Sequence, residues 1–179
     1  MKNSSLVNQE IRVGIADYKV AYSPDTLITL GLGSCVGIVI YDYKLKIGGM
    51  SHIMLPDSRQ FNRVTNPLKF ADLAIPQLLE KLISMGGGKS RFRAKIAGGA
   101  QMFSFADSTT LNIGERNIAK VKEVLKDMQI ALTAAEVGGN IGRTMIFHSE
   151  TGKVFIRSAG KTPRELREEP WTLANSRVR

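Results

Sequence analysis

Two apolar, β-rich runs that lie close together in the sequence constrain the fold more than any other feature. They cover Val36–Asp42 and residues 46–55, and a short polar connection around Tyr43 joins them. Runs of this kind, separated by a few polar residues, predict an antiparallel β-hairpin. Cys35 immediately precedes the first run, and His52 lies near the end of the second. Because antiparallel pairing brings the start of one strand beside the end of its neighbour, the hairpin is expected to place the thiol and the imidazole close together.

A glycine-rich turn, Gly-Leu-Gly-Ser-Cys over residues 31–35, leads into that hairpin and ends at the only cysteine of the chain. Glycines allow a substrate to approach the backbone closely. Gly33 and Ser34 are therefore the candidate oxyanion- and substrate-binding residues, through backbone N–H groups beside the candidate nucleophile Cys35. The alternative is a turn around a buried, inert residue, because free cysteine is among the most buried residue types. The pattern alone leaves both interpretations open.

His52 is the candidate general base, and that role requires an acceptor for its second ring nitrogen. Thr29, six residues before the cysteine, offers a hydroxyl on the incoming segment. Asp57 follows Pro56, which is expected to turn it away, and Asp42 belongs to the far end of the first strand. A threonine orients a histidine less strongly than a carboxylate does, so the enzyme is expected to be slow. The alternative is a histidine whose hydrogen bonds are satisfied within the core.

The other residues that carry chemistry do not form a second cluster. His148 precedes a Ser-Glu-Thr-Gly turn and is predicted to be a solvated turn residue rather than a second base. One thiol and two separated histidines predict no metal site, and no cofactor is expected. The glycine pairs at 98–99 and 138–139 are predicted to be close-packing or tight-turn positions.

The remaining periodicity predicts one α+β layered domain over residues 1–179, with strands outnumbering helices. Asn66 and Pro67 are expected to begin a helix that ends at the glycines after Met85, with a kink or break at Pro76. A second helix is predicted over about residues 115–128. Residues 1–9 and about 161–179 are expected to be less ordered tails. Further strands are predicted over 11–15, 18–22, 26–30, 130–137, 143–147 and 153–157.

The net charge of +9 predicts a partner with an acidic surface. An acidic protein is favoured over nucleic acid because the basic residues are scattered and no base-reading element accompanies them. Residues 89–95, the nearest approach to a basic patch, read equally well as a strand with one solvated face. Solubility alone remains an alternative explanation. A single cysteine, no membrane-length apolar stretch and a polar N-terminus together predict a cytoplasmic protein without direct membrane insertion.

Several longer motifs resemble one known family over residues 11–158. They occupy residues 29–36, 49–56, 95–103, 112–117 and 137–143, and the last matching motif lies near residues 151–152. The first two read Thr-Leu-Gly-Leu-Gly-Ser-Cys-Val and Gly-Met-Ser-His-Ile-Met-Leu-Pro, and the third contains Ala-Gly-Gly-Ala-Gln-Met-Phe. In combination they closely resemble CheD, the chemoreceptor glutamine deamidases of bacterial chemotaxis.

The resemblance implies a catalytic triad that falls on Cys35, His52 and Thr29. It implies layered β-sheets packed together with helices outside, as in the deamidating cytotoxic necrotizing factor toxins. The implied substrates are glutamines on the cytoplasmic helices of methyl-accepting chemotaxis receptors, which become glutamates. A second implied partner is the phosphatase CheC, which family members bind and stimulate.

Two other functions fit the same residues. One is a regulatory binding module for the phosphatase and receptors, with slow or vestigial catalysis. The other is a cysteine amidase acting on small molecules, which leaves the positive charge unexplained. A thiol with a low pKa favours catalysis, whereas a normal buried thiol favours the binding module.

Overall fold

The computed structural model describes residues 8–101 and 113–168, which form ten strands and two α-helices. Parts of both predicted tails (1–7 and 169–179) and of the resemblance motifs (residues 102, 103 and 112) lie outside the described residues. The elements are, in chain order, β1 (Glu10–Arg12), β2 (Asp17–Tyr22), β3 (Thr26–Leu32), β4 (Val36–Asp42), β5 (Ile47–Ile53), α1 (Ala71–Ser84), β6 (Phe92–Gly98), α2 (Ile113–Asp127), β7 (Ala131–Val137), β8 (Arg143–His148), β9 (Lys153–Ser158) and β10 (Arg164–Glu165).

The strands form two mixed sheets of five. The first sheet has the order β1-β3-β8-β9-β10, and the second has the order β2-β5-β4-β6-β7. The pairs β1–β3 and β6–β7 are parallel, and the other neighbouring strands are antiparallel. The two residues of β10 pair with β9 inside the segment that was expected to be a C-terminal tail.

Two hydrophobic clusters define the layers. One lies between the sheets and contains Leu27 and Phe147 from the first sheet with Val39 and Met50 from the second. The other joins the outer face of the second sheet to the apolar faces of α1 and α2. The order of layers is therefore first sheet, second sheet, helices, which confirms the predicted α+β layered fold.

The predicted hairpin is present as β4 and β5. Its register runs from Asp42 opposite Ile47 to Val36 opposite Ile53. β4 lies in the middle of the second sheet, so Ile38 faces the helices while Val39 faces the first sheet. Burial on both faces explains why this strand reads as a continuous apolar run rather than as an alternating one.

The predicted first helix begins later than the sequence indicated. Asn66 caps a single 3-10 turn, Pro67–Lys69, by accepting a hydrogen bond from the backbone N–H of Leu68. The α-helix starts at Ala71, after an extended residue. Of the kink or break predicted at Pro76, the break does not occur, since α1 continues from Ala71 to Ser84. Burial of its apolar face against the second sheet offsets the one hydrogen bond that proline removes.

The basic stretch at residues 89–95 begins with a 3-10 turn, Lys89–Arg91, and its last four residues enter the second sheet as β6. Phe92 and Ala94 are buried, while Arg93 and Lys95 alternate with them and are partly exposed. The Lys95 ammonium lies 3.0 Å from the Glu168 carboxylate. The alternative of a strand with one solvated face therefore holds from Phe92 onward, and not for Lys89–Arg91.

Asp42 has a structural role at the closed end of the hairpin. Its carboxylate is fully buried and accepts hydrogen bonds from Arg91 and from the backbone N–H groups of Gly88, Leu45 and Lys44. Burial by itself would raise the pKa of this carboxyl, but these bonds outweigh burial and lower the pKa to about 2. The charged form of Asp42 is therefore the form that the fold stabilises.

Replacing Asp42 by alanine is expected to lower the free energy of unfolding at pH 7 by about 3 kcal/mol, since the Arg91 charge and three N–H groups lose their acceptor. In the unsubstituted protein this stabilisation is present above the unfolded carboxyl pKa of about 3.9 and disappears as pH falls toward 2. Urea unfolding at pH 7 and over a series down to pH 2.5 measures both effects. The exposed Glu150→Ala change serves as the control, and equal losses for both variants would contradict the assigned role.

Candidate active site

The candidate site lies at the open end of the β4–β5 hairpin, between the two sheets. His52 is opposite Gly37 in the register, and Cys35 lies two residues before that glycine. Cys35 packs against the cluster between the sheets and is half-buried, whereas His52 is fully buried. The thiol and the imidazole are thus diagonal neighbours across one face of an antiparallel pair, where long side chains can reach each other.

Thr29 of the first sheet joins this pair across the space between the sheets. Its Oγ1 lies 2.8 Å from His52 Nδ1 and donates a hydrogen bond to the Val13 carbonyl at 2.8 Å. A hydroxyl has one proton, so Oγ1 can only accept at the ring, and His52 Nδ1 must carry the N–H. In the neutral ring this leaves a lone pair on Nε2. Within residues 8–101 and 113–168, that buried Nε2 has no hydrogen-bond partner.

Both members of the Cys–His pair are neutral at rest. Burial lowers the pKa of His52 to about 4. Burial also raises the pKa of the Cys35 thiol, and its own backbone N–H opposes that change only in part. The resting protein therefore holds a neutral thiol and an unprotonated imidazole rather than a preformed thiolate–imidazolium pair. A raised thiol pKa is the direction that the binding-module alternative expects, so any catalysis must move the proton when substrate is attacked.

Three hydrogen bonds hold the carbonyl groups of the cysteine turn, residues 33–35. The carbonyl of Gly33 accepts from Ala100 N at 2.7 Å, and that of Cys35 accepts from Gly99 N at 2.8 Å. The carbonyl of Ser34 accepts from the Asn117 side chain at 2.9 Å. With all three carbonyl groups engaged, the orientation of the cysteine turn is fixed by β6, its following loop and α2.

The backbone N–H of Gly33 is not available for an oxyanion in this conformation. It donates to the Gly31 carbonyl at 2.9 Å, which closes a tight turn that Gly31 permits through its φ of +69°. The expectation for Gly33 therefore needs correction, and the candidate donors narrow to the N–H groups of Ser34 and Cys35. Neither donates to another residue within the described part of the chain.

The predicted tight-turn glycines lie directly behind the cysteine turn. Gly98 has a φ of +115°, and a Cβ built on it would clash with the Cys35 carbonyl. The φ values of Gly99, Gly138 and Gly139 are also positive, and Gly138 N donates to the Gly98 carbonyl at 2.9 Å. The tight-turn prediction is therefore confirmed for both pairs, and Gly98 also provides a close approach between two backbones.

Asn117 was not identified from the sequence as a site residue. It is fully buried in α2, and its amide nitrogen donates to the carbonyl groups of Ser34 and Met54. The sequence signal was a polar residue four positions before Val121 and eight before Leu125, a spacing that places it on the same face of the helix as these two apolar residues. A buried polar side chain usually finds partners in the core, and here Nδ2 has two while Oδ1 has none among the described residues.

The other acidic candidates do not contact His52. The carboxylate of Asp57 bonds Arg59 and lies 3.2 Å from Lys120 Nζ, and the Arg59 interaction holds the pKa of Asp57 well below its usual range. Asp42 bonds Arg91, as described above. Both carboxylates therefore stabilise local structure. Neither is bonded to His52, as expected from Pro56 before Asp57 and from the position of Asp42 at the far end of β4.

His148 is not the solvated turn residue that was predicted. It ends β8, is half-buried, and its Nδ1 lies 3.2 Å from Thr26 Oγ1. Its ring also meets the Phe155 ring edge-on with centroids 5.4 Å apart. The turn begins one residue later than the pattern indicated, so pairing with β3 and β9 keeps the imidazole at the sheet.

The described residues contain neither a cluster of metal-binding side chains nor a membrane-spanning helix. No three His, Cys, Asp or Glu side chains there lie close enough together to hold a metal ion. Neither helix in that part of the chain has both the length and the apolar character needed to cross a bilayer.

Removing the Thr29 hydroxyl is expected to weaken any chemistry that depends on His52. In Thr29→Ala the ring loses the acceptor that fixes its tautomer, so turnover should fall on the order of 10²-fold, while Thr29→Ser should retain most of it. Because two buried partners lose their bond, the alanine variant should also lose about 2 kcal/mol of stability without unfolding. Steady-state kinetics and urea unfolding measure the two effects.

Thr26→Ala is the matched control, because Thr26 lies on the same strand and contacts the other histidine. Turnover that falls equally in both alanine variants would contradict an orienting role for Thr29.

Comparisons with known proteins agree with the motifs. A family model described as "CheD chemotactic sensory transduction" matches residues 54–158. A Clostridium botulinum protein (strain Hall) named probable chemoreceptor glutamine deamidase CheD is 57% identical over 159 residues, which cover 88% of this chain and 98% of that protein. A Clostridium acetobutylicum protein of the same name is 56% identical over 88% of this chain and 96% of that protein.

Proposed function

The chain belongs to the CheD family, and we propose that it is a protein-glutamine deamidase that hydrolyses side-chain amides of methyl-accepting chemotaxis receptors. The observation that carries this proposal is a hydrogen-bonded chain from the Val13 carbonyl through the Thr29 hydroxyl to the His52 ring. This chain leaves the basic Nε2 of the ring without a partner among the described residues, at the end of the hairpin where Cys35 lies. Relatives with 56–57% identity carry the name of a chemoreceptor glutamine deamidase.

The first half of the proposed reaction forms a thioester. His52 Nε2 takes the proton from Cys35 Sγ as the sulfur attacks the side-chain amide carbon of a substrate glutamine. The resulting oxyanion accepts hydrogen bonds from the N–H groups of Ser34 and Cys35. His52 then gives its proton to the amide nitrogen, the carbon–nitrogen bond breaks, and ammonia leaves a γ-glutamyl thioester on Cys35.

The second half hydrolyses that thioester. His52 Nε2 takes a proton from water as the water oxygen attacks the thioester carbon. The carbon–sulfur bond breaks, glutamate is released, and His52 returns the proton to the sulfur. Thr29 stabilises the same ring orientation in both halves, although it adds no negative charge to stabilise the imidazolium. The raised thiol pKa and the uncharged orienter both favour slow turnover.

The proposed partners follow the family. The receptor helices would supply the glutamines, and the positive net charge of this chain would favour association with acid-rich helices. We also propose that the chain binds the CheC phosphatase, that it works in the cytoplasm, and that its fold is related to that of the cytotoxic necrotizing factor toxins. Residues 1–179 would then form a single deamidase domain.

The test is intact-mass analysis of a receptor cytoplasmic fragment after incubation with this protein. Conversion of an amide to an acid is expected to add about one dalton per modified glutamine, with release of an equal amount of ammonia. A parallel incubation with free glutamine should release none if the substrate is a protein helix. A fragment of unchanged mass across several receptors would contradict the deamidase.

The binding module is the second candidate, favoured by the raised pKa of the thiol. It predicts that Cys35→Ala binds the phosphatase as tightly as the unsubstituted protein does. It also predicts that receptors stay unmodified. The mass experiment separates the two functions, since the deamidase modifies receptors in a way that requires the thiol, whereas the binding module leaves them unmodified.

A further inference from the structure

The amide of Asn117 bridges the two chain segments that carry the thiol and the base. Its Nδ2 donates to the Ser34 carbonyl and to the Met54 carbonyl, both at 2.9 Å. Both neighbouring atoms are acceptors, so only the NH2 end of the amide can face them. Ser34 adjoins Cys35, and Met54 lies two residues after His52.

The Asn117 bridge lies just beyond the last backbone-paired residues of the hairpin. The last pair of β4 and β5 at the open end is Val36 opposite Ile53. Cys35 and Met54 are the next residues on each side, beyond that pair. Along the hairpin, backbone hydrogen bonds hold β4 and β5 together. At its open end the Asn117 side chain takes their place by joining the two segments.

The helix that carries Asn117 is itself held to the same region. Val121 and Leu125 are buried on its inner face, and Lys120 Nζ lies 3.2 Å from the Asp57 carboxylate, just after β5. At the start of the helix, Gly114 lies so close to the Gly99 backbone that a Cβ would be 2.5 Å from the Gly99 carbonyl oxygen. A side chain on such a fixed helix can position its partners accurately.

We propose that Asn117 is a positioning residue that sets the distance between Cys35 and His52 by joining the cysteine turn to the end of β5. The inference rests on the proposed deamidase for its kinetic consequence. Asn117 is fully buried and acts through Ser34 and Met54, so it contributes to the geometry of the reacting groups and not to substrate binding.

Asn117→Leu tests this role because leucine has a similar volume and no donors. We expect turnover of a receptor fragment to fall by about 10²-fold, because small displacements of reacting groups cause losses of this size. KM should be unchanged. Amide hydrogen exchange should accelerate at Gly99 and Ala100, whose N–H groups bond the carbonyls of the cysteine turn. The exchange measurement does not depend on deamidation. If Asn117→Leu does not fold, the smaller change Asn117→Ser is used in the same measurements.

Ser149→Ala is the matched control. Ser149 is also fully buried, and its Oγ donates to the Asp25 carbonyl at 2.6 Å, at the opposite end of β3 from the cysteine turn. It should lose stability while keeping its turnover and its Gly99 exchange rate. Three outcomes would each overturn the positioning role. They are unchanged turnover in a folded Asn117 variant, an equal loss of turnover in the Ser149→Ala control, and failure of both Asn117 variants to fold. An unsubstituted protein that is inactive on receptors would instead contradict the deamidase itself.

Discussion

Cys35→Ala is expected to abolish deamidation, lowering turnover by about 10⁴-fold or more because no other group in the site can form the thioester. The chain has a single cysteine, so the loss is assigned to one atom. Cys35→Ser should be inactive as well, since its hydroxyl is far more difficult to ionise than a thiol and the uncharged pair of His52 and Thr29 activates it weakly. Both variants should fold, because Cys35 is only half-buried at the edge of the core.

The measurement is the mass of a receptor fragment after prolonged incubation with each variant at equal concentration. Alkylation of the unsubstituted protein by iodoacetamide provides an independent check, since it modifies one thiol and should stop the reaction to the same extent. Full activity in Cys35→Ala would exclude the covalent mechanism, whereas unchanged phosphatase binding would be consistent with either proposed function.

His52→Gln is the second large expected effect, a fall of about 10³-fold in turnover, because the thiol proton loses its acceptor. His148→Gln is the matched control: it is the other histidine, it is half-buried, and its ring also lies near a threonine hydroxyl on β3. That variant should retain full turnover. Comparable losses in the two variants would mean that glutamine at either position disturbs the sheets rather than the chemistry.

The same assignment predicts the pH dependence of kcat/KM. The pKa of His52 is lowered to about 4, so Nε2 remains a base from neutral pH down to that value and becomes protonated only below it. The acidic limb should therefore appear near pH 4 and not near the ordinary histidine pKa of about 6.5. An acidic limb near pH 6.5 would contradict the assignment of the buried His52 as the base.

Much of the fold followed from local patterns. Apolar runs and turn residues located β2 to β5 and β7 to β9 to within a few residues, because strand pairing and turn formation depend on neighbouring side chains. For the segment that forms β6, the sequence left a basic patch and a strand equally open. The start of α1 was wrong because Asn66 and Pro67 satisfy the same capping preferences in a single 3-10 turn as in a helix. The prediction for His148 was wrong for a related reason, since the pattern did not show where pairing with β3 ends.

The sequence by itself determined the hairpin, the layered class and the candidate residues Cys35, His52 and Thr29, because these depend on residue type and spacing. Only the tertiary structure decided the tautomer of His52, because the Thr29 hydroxyl donates its proton to the Val13 carbonyl, sixteen residues away, and can only accept from the ring. It also decided that the N–H of Gly33 is engaged and that Asn117 joins the two site segments. Hydrogen-bond partners and burial come from contacts between distant parts of the chain, and these contacts set both proton positions and pKa values.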